Sequence, residues 1–166
     1  VSDTNSKKCT LKIVKKQEFP DKKNYRLHIA IAPTKNSDRL EWFLEKATEI
    51  GVAEIIPLIC ERTEKEKFRF DRLNGICISA MLQSQQTWLP ELYQPTEFKS
   101  MVSSSLEQQK FIAHCEEGNK QTISSFCNSP IPSSLILIGP EGDFTPEEIQ
   151  LALQCDFMPV SLGETR

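Results

Sequence analysis

Short apolar runs alternate with amphipathic segments from residue 27 to the end of the chain. The runs have the length of buried strands, and most of them stop at proline, glycine or charged residues. Strands that alternate with helices predict an α/β domain with a mostly parallel sheet. The five predicted strands cover residues 27–32, 54–60, 110–114, 135–138 and 158–162.

Helical spacing fills two of the intervals between these strands. In the first interval, Asp38 with Glu41 three residues later predicts a capped helix start, and Gly51 is placed as the C-terminal stop. A second helix is predicted over residues 71–86, whereas residues 100–109 are predicted to be irregular or weakly helical. The predicted inward face of the first helix consists of Leu40, Phe43, Leu44, Ala47 and Ile50.

Residues 1–24 have a different character, because they are polar and rich in lysine. The alternation over residues 11–15 predicts one strand, and Pro20 with Asp21 predicts a turn after it. So short a segment cannot form a domain. We interpret it as the end of a larger β domain or a linker, followed by a main domain at residues 25–166. The chain begins with Val1 and stops directly after a strand, so we expect it to be part of a longer protein.

Composition and charge narrow the class of protein. The 166 residues carry a net charge of −3, so any contact with nucleic acid would have to come from a local basic patch. No apolar run approaches the ~20 residues that cross a bilayer, and the N-terminus is not a signal peptide. These features predict a cytoplasmic protein without a membrane partner. The six cysteines form no Cys-x-x-Cys pair and the two histidines are isolated, so we predict reduced thiols and no metal site.

The segment over residues 135–149 is the part of the chain most informative for function. A buried-type strand breaks at a glycine-containing loop, and a helix follows. Thr145 is a good N-cap, Pro146 suits the first helical position, and Glu148 completes a capping box. Strand, glycine loop and helix in this order are typical of a cofactor site at the carboxyl end of an α/β sheet.

The residues of this loop exclude phosphate-binding motifs. The loop has neither the Gly-Lys-Ser/Thr of a P-loop nor the Gly-x-Gly-x-x-Gly of a dinucleotide site. Its two carboxylates, Glu141 and Asp143, would repel a phosphate. A ligand that resembles adenosine, lacks phosphate and bears positive charge fits better. S-adenosyl-L-methionine, with its sulfonium, is such a ligand.

Several segments together resemble one family, in the same order and spacing, from about residue 25 to the end. These segments are residues 35–41, 46–52 and 57–63, the pair Gln83-Ser84 followed by Pro90, and residues 112–116, 139–142 and 160–163. The family comprises the bacterial ribosomal-RNA uridine N3-methyltransferases of the RsmE type, in the SPOUT superfamily. An ordered set of motifs is far more specific than any one of them.

The resemblance implies a SPOUT α/β fold with a C-terminal trefoil knot and a homodimer with cofactor pockets near its interface. It implies methyl transfer from S-adenosyl-L-methionine to N3 of a uridine in the 16S ribosomal RNA of the small subunit. The predicted cofactor-binding residues are Ile138, Gly139, Pro140, Glu141, Gly142, Leu162, Gly163 and His114.

The predicted RNA contacts are basic residues within the matching segments. Arg39 and Arg62 are chosen because arginine binds phosphate in bidentate fashion, and Lys35 lies in the same segment as Arg39. The general base is not identified, and Arg166 and Glu141 are the candidates for a catalytic role. His28, inside an apolar strand, is predicted to be a core or interface histidine.

Four features depart from the family pattern. Gln86 stands where the family usually has a basic residue, and Asp143 replaces the second glycine of the cofactor loop. The segment that follows Arg166 in the family, and that forms the knot, is missing. Residues 1–24 resemble only the last strand and linker of the family's PUA-like RNA-binding barrel. Two alternatives stay open: a SPOUT methyltransferase that acts on transfer RNA or on a ribose 2′-hydroxyl, and an RNA-binding module that does not transfer methyl groups.

Overall fold

The computed structural model describes residues 3–5, 8–18, 25–64, 68–118, 120–126 and 132–163, with the backbone alone for residues 3–5 and 8–10. Near the N-terminus, β1 (Asp3–Asn5) and β2 (Lys8–Thr10) form an antiparallel pair. Residues 11–18 have no regular structure, so the strand predicted over residues 11–15 is wrong. The side chain of Val14 is 95% exposed. Alternating sequence does not form a strand when no neighbouring strand or apolar surface receives it.

The remaining strands form one parallel sheet. Its eight strands are β3 (Arg26–Ile31), β4 (Glu54–Ile59), β5 (Glu91–Leu92), β6 (Thr96–Glu97), β7 (Gln109–Ala113), β8 (Gln121–Thr122), β9 (Ser133–Ile138) and β10 (Met158–Ser161). They lie in the order β5-β4-β3-β9-β7-β10-β8, with β6 paired to β4, and every described pairing within this sheet is parallel. The predicted parallel sheet and its five strands are confirmed. The two-residue strands were not predicted, because so short a segment has no periodicity.

Helix α1 (Ser37–Ile50) begins two residues earlier than predicted. Its N-cap is Asn36, whose side chain accepts a hydrogen bond of 2.9 Å from the backbone N–H of Asp38. The predicted cap at Asp38 is therefore wrong, and this carboxylate instead lies in the first turn, where negative charge is favourable. The predicted stop at Gly51 is confirmed, with a left-handed φ of 89°.

The inward face of α1 is only partly as predicted. Leu44 and Ala47 are buried, but Ile50 is 73% exposed. Thr48 is buried in its place, and its hydroxyl donates to the carbonyl of Leu44 at 2.7 Å. The bond satisfies the buried hydroxyl, which is why a polar residue is tolerated there.

Three more helices complete the layers: α2 (Phe70–Gln83), α3 (Phe98–Ser104) and α4 (Pro146–Gln154), with a 3₁₀ turn at Ile123–Phe126. Helix α2 ends three residues before the predicted end. Residues 98–104 form a regular helix, whereas irregular or weakly helical structure was predicted over residues 100–109. The helix forms because Phe98 and Val102, one turn apart, are both buried. No helix in the described part of the chain is long and apolar enough to cross a bilayer.

Alternate residues of the strands build a core on each face of the sheet. On one face, Ala30, Ile112 and Leu137 pack with α3 and α4. On the other face, Ile29 and Ile136 pack with residues of α1 and α2. The helices thus cover both faces of the sheet. The carboxyl ends of the adjacent strands β9, β7 and β10 lie side by side at one end of the sheet.

Candidate functional site

The loop between β9 and α4 has the local structure that its sequence predicts. The Thr145 hydroxyl accepts a hydrogen bond of 3.2 Å from the backbone N–H of Glu148, and the Glu148 carboxylate accepts one of 2.9 Å from the N–H of Thr145. Pro146 opens the helix. This capping box fixes the point at which the loop ends, so the glycine-containing segment is held between a buried strand and a rigid helix start.

Gly139 is required by close packing inside this loop. A Cβ placed on Gly139 would lie 3.1 Å from two ring carbons of Phe144. The ring cannot easily give way, because Phe144 is only 1% exposed and packs against Phe98 with ring centroids 5.4 Å apart. The backbone at the end of β9 therefore runs directly over an aromatic ring.

Both carboxylates of the loop are held by backbone N–H groups. Glu141 accepts a hydrogen bond of 3.0 Å from the N–H of Lys35, after β3. Asp143 accepts one of 2.7 Å from the N–H of Cys115, after β7. Asp143 has a left-handed φ of 61°, where glycine is the easiest residue, and its carboxylate also accepts from the N–H of Phe144 at 2.9 Å. The positive φ is unfavourable for a residue with a side chain, but the two hydrogen bonds of the carboxylate offset this cost. Asp143 can therefore stand at a position where the family has glycine.

A cavity of about 420 Å³ opens at the carboxyl ends of β7, β9 and β10. All the predicted cofactor residues except Gly142 line it. The lining residues are Ala113, His114, Cys115, Lys120, Ile138, Gly139, Pro140, Glu141, Asp143, Val160, Ser161, Leu162 and Gly163. Lys120 was not predicted, because nothing in the sequence links it to the glycine loop, whereas Ser161 belongs to the matching segment 160–163 but was not named as a cofactor contact. Gly142 instead faces the side chain of Arg62, whose Cδ lies 3.3 Å from a Cβ built on the glycine.

His114 places an unpaired polar atom at this cavity. Its Nδ1 is buried and has no hydrogen-bond partner among the described residues. Burial lowers the pKa of the imidazole below its ordinary value, and Lys120 lowers it further, while Asp143 and Glu116 act in the opposite direction. The imidazole is therefore neutral near pH 7, and it can accept or donate a hydrogen bond to a ligand.

The predicted RNA contacts lie in different surroundings. Arg39 is an exposed residue of α1, and Lys35 forms an exposed ion pair of 3.3 Å with Glu64. Arg62 donates to the carbonyl oxygen of Gly142 at 2.6 Å. Arg166 lies outside the described residues. His28, predicted to be a core histidine, is buried, and its Nδ1 lies 3.0 Å from a carboxylate oxygen of Glu54.

A second and larger cavity, of about 680 Å³, lies at the carboxyl ends of β3 and β4. It was not predicted from the sequence. Arg72, on its wall, is held by two hydrogen bonds to the carboxylate of Glu41, at 2.6 and 2.9 Å. Because this guanidinium is neutralised within the chain, and the glycine loop lines the other cavity, we take the smaller cavity as the functional one.

Residues 21–166 match the family model of the RNA methyltransferase domain. The chain is 32% identical over 141 residues to the ribosomal RNA small subunit methyltransferase E of Synechocystis sp., in an alignment that covers 82% of this chain and 46% of that protein.

Solved structures agree with this match. The fold is similar to that of a probable rRNA-methyltransferase from Porphyromonas gingivalis, with a TM-score of 0.80 and 41% identity, over 86% of this chain and 60% of that one. It is also similar to a methyltransferase from Legionella pneumophila solved with the bound cofactor SAM, with a TM-score of 0.77 and 33% identity over the same shares. The chain thus spans 46% of the curated relative and 60% of each of these solved chains.

Proposed function

The chain belongs to the RNA methyltransferase domain family, and on that basis we propose that it carries out S-adenosylmethionine-dependent methylation of small-subunit ribosomal RNA. The name of the Synechocystis relative supports the substrate, and the cofactor bound by the Legionella relative supports the methyl donor. The chain corresponds to 46% of the Synechocystis relative and 60% of the Legionella chain.

The observation that carries the proposal is the cavity at the carboxyl ends of β7, β9 and β10. Its residues fit S-adenosylmethionine in three respects. Gly139, Leu162 and Gly163 offer backbone groups to an adenosine. The orphaned Nδ1 of His114 lacks a partner that a polar ligand atom would supply. Glu141 and Asp143 place negative charge where a sulfonium is favoured and a phosphate is not.

In this reaction the chain mainly binds the methyl donor and aligns it with the target nucleotide. S-adenosylmethionine supplies a methyl group activated by its sulfonium. The chain's residues hold this donor against the target nucleotide, and such alignment removes much of the entropic cost of a bimolecular reaction. The rigid loop over Phe144 and the capping box at Thr145 fix the cavity wall, so little reorganisation is required when the reactants meet.

The family resemblance also suggests the methylated atom, the oligomeric state, the domain division and the roles of individual residues. We propose N3 of a uridine in 16S ribosomal RNA as the methylated atom, and a homodimer in the cytoplasm. We retain the division into a PUA-like remnant at residues 1–24 and a SPOUT domain at residues 25–166 that forms a trefoil knot in the native-length protein. Lys35 and Arg39 are proposed RNA contacts. Arg166 and Glu141 are proposed to act near the reacting atoms, as in the sequence prediction.

The reaction is tested by incubating the native-length protein with isotopically labelled S-adenosylmethionine and small ribosomal subunits that lack the modification. The RNA is then digested and its nucleosides are identified by mass spectrometry. Labelled N3-methyluridine is the expected product. A label on a ribose hydroxyl of this RNA would assign the protein to another methyltransferase class. The same conclusion would follow if a parallel incubation labelled transfer RNA and the subunits stayed unlabelled. A protein that binds RNA but neither binds the cofactor nor labels any RNA would be a non-catalytic RNA-binding module.

A further inference from the structure

Arg62 lies on a turn whose shape is fixed by its own hydrogen bonds. The turn follows β4, and the N–H of Thr63 donates to the carbonyl of Cys60 at 3.0 Å. The hydroxyl of Thr63 in return accepts from the N–H of Cys60 at 2.9 Å. Two bonds that close the same four residues leave the turn little freedom, so the backbone fixes the point from which the Arg62 side chain starts.

The same turn is attached to helix α4. The N–H of Glu61 donates to the carboxylate of Glu148 at 2.9 Å, and this carboxylate also forms half of the capping box at Thr145. Glu148 is only 8% exposed, so the connection is part-buried although Glu61 itself is exposed. These hydrogen bonds fix the position of the turn after β4 relative to the loop after β9, although β3 lies between β4 and β9 in the sheet.

Arg62 adds a direct link from this turn to the middle of the glycine loop. One guanidinium nitrogen, Nη1, donates to the carbonyl of Gly142 at 2.6 Å and lies 3.4 Å from that of Phe144. The aliphatic stem packs beside Gly142, which explains why this glycine faces away from the cavity. A charged donor that binds two carbonyls fixes where the intervening backbone lies.

We propose that Arg62 is a positioning residue for the cofactor, which sets the curvature of the Gly139–Phe144 loop, rather than a contact to RNA phosphate. The inference rests on the proposed function, because it takes the loop to be a wall of the S-adenosylmethionine site. It replaces the role that the sequence predicts for this arginine. Arg62 never needs to contact the cofactor, since it acts on the outer side of the loop whose inner side lines the cavity.

The test compares Arg62→Gln and Arg62→Lys with Arg39→Gln, a matched change at an exposed arginine of α1. The affinity of the native-length protein for S-adenosylmethionine is measured by calorimetry. The affinity for a 16S ribosomal RNA transcript is measured at several KCl concentrations. We expect Arg62→Gln to weaken cofactor binding about tenfold or more, and Arg62→Lys to weaken it less. The salt dependence of RNA binding should be unchanged in both, whereas Arg39→Gln should leave cofactor binding unchanged.

The opposite pattern would overturn the proposal. A phosphate contact at Arg62 would reduce the slope of log affinity against log salt by about 0.7–0.9 on substitution, with unaltered cofactor binding. Hydrogen exchange of the amides of residue 139 and residues 141–145 provides a second readout that needs no cofactor. We expect faster exchange there in Arg62→Gln and no change in α2. Unchanged exchange in the loop of Arg62→Gln would refute the positioning role. Failure of the wild-type protein to bind S-adenosylmethionine would instead count against the proposed function, and the exchange result would still decide the role of Arg62 in the loop.

Discussion

Replacing Gly139 by alanine tests whether the glycine loop needs its close approach to Phe144. The new methyl group would lie 3.1 Å from two ring carbons and 3.4 Å from a third. The ring is confined between the loop and Phe98, so it must move into a closely packed core, or the end of β9 must bend away from it.

The expected cost follows from overpacking. Forcing one extra methyl group into a well-packed region costs about 1–3 kcal/mol. For a domain of this size, each kcal/mol lowers the melting temperature by about 2–4 °C, so a fall of about 2–12 °C is expected. Because the same displacement moves a wall of the cavity, Gly139→Ala should also weaken binding of S-adenosylmethionine. Urea denaturation and calorimetric titration measure the two effects separately.

Gly75 provides the matched control. It lies within α2, and a Cβ there would meet no atom within 4 Å. Gly75→Ala should therefore stabilise the protein by about 0.5–1 kcal/mol, since alanine restricts the unfolded chain and favours helix. Adding Phe144→Leu to Gly139→Ala should recover part of the lost stability relative to the sum of the two single changes. A Gly139→Ala variant as stable as wild type would show that the ring of Phe144 does not restrict this position. The same would follow if the losses in free energy of unfolding of Gly139→Ala and Phe144→Leu simply added in the double variant.

Three further outcomes follow from the described geometry. Thr145→Ala should destabilise the protein by about 1 kcal/mol in urea denaturation, because the helix loses its cap, and Thr145→Ser should retain most of that stability; equal losses would contradict the capping role. Burial lowers the pKa of His114, so the unfolded chain binds a proton more readily, and the stability of the folded protein should fall as the pH drops below about 6.5. His114→Gln should reduce this dependence in denaturation series between pH 5 and 8, and an identical slope would exclude His114 as its source. Burial and the nearby Glu148 raise the pKa of Cys60 to about 12, whereas Cys115 is exposed. Mass spectrometry after brief iodoacetamide treatment at pH 8 should find Cys115 alkylated and Cys60 unmodified. Rapid modification of Cys60 in the folded protein would show that this thiol is accessible to solvent.

The features that the sequence predicted well are those whose signals are local. The strand before Gly139 and the capping box at Thr145 involve residues close together in the chain, and both are confirmed. The stop at Gly51 is local in the same sense. The start of α1 shows the limit of such signals, because Asn36 and Asp38 are both good caps, and the folded backbone selects the first.

Other features depend on contacts between distant parts of the chain. Residues 98–104 form a helix because Phe98 and Val102 enter a core that strands far away in sequence supply. The apolar residues of segment 11–15 meet no such surface and remain exposed. The hydrogen bond of Arg62 joins residues 80 positions apart, so a motif could suggest that the arginine matters, but could not indicate which group it binds.

The decisive measurement of the cofactor site is a crystal structure of the native-length protein with saturating S-adenosylmethionine. We expect the cofactor in the cavity at the carboxyl ends of β7, β9 and β10, within contact distance, about 4 Å, of Gly139 and Leu162. We also expect a hydrogen bond from a polar ligand atom to Nδ1 of His114. Cofactor bound in the larger cavity beside Arg72, with the glycine loop untouched, would contradict the assignment of the site.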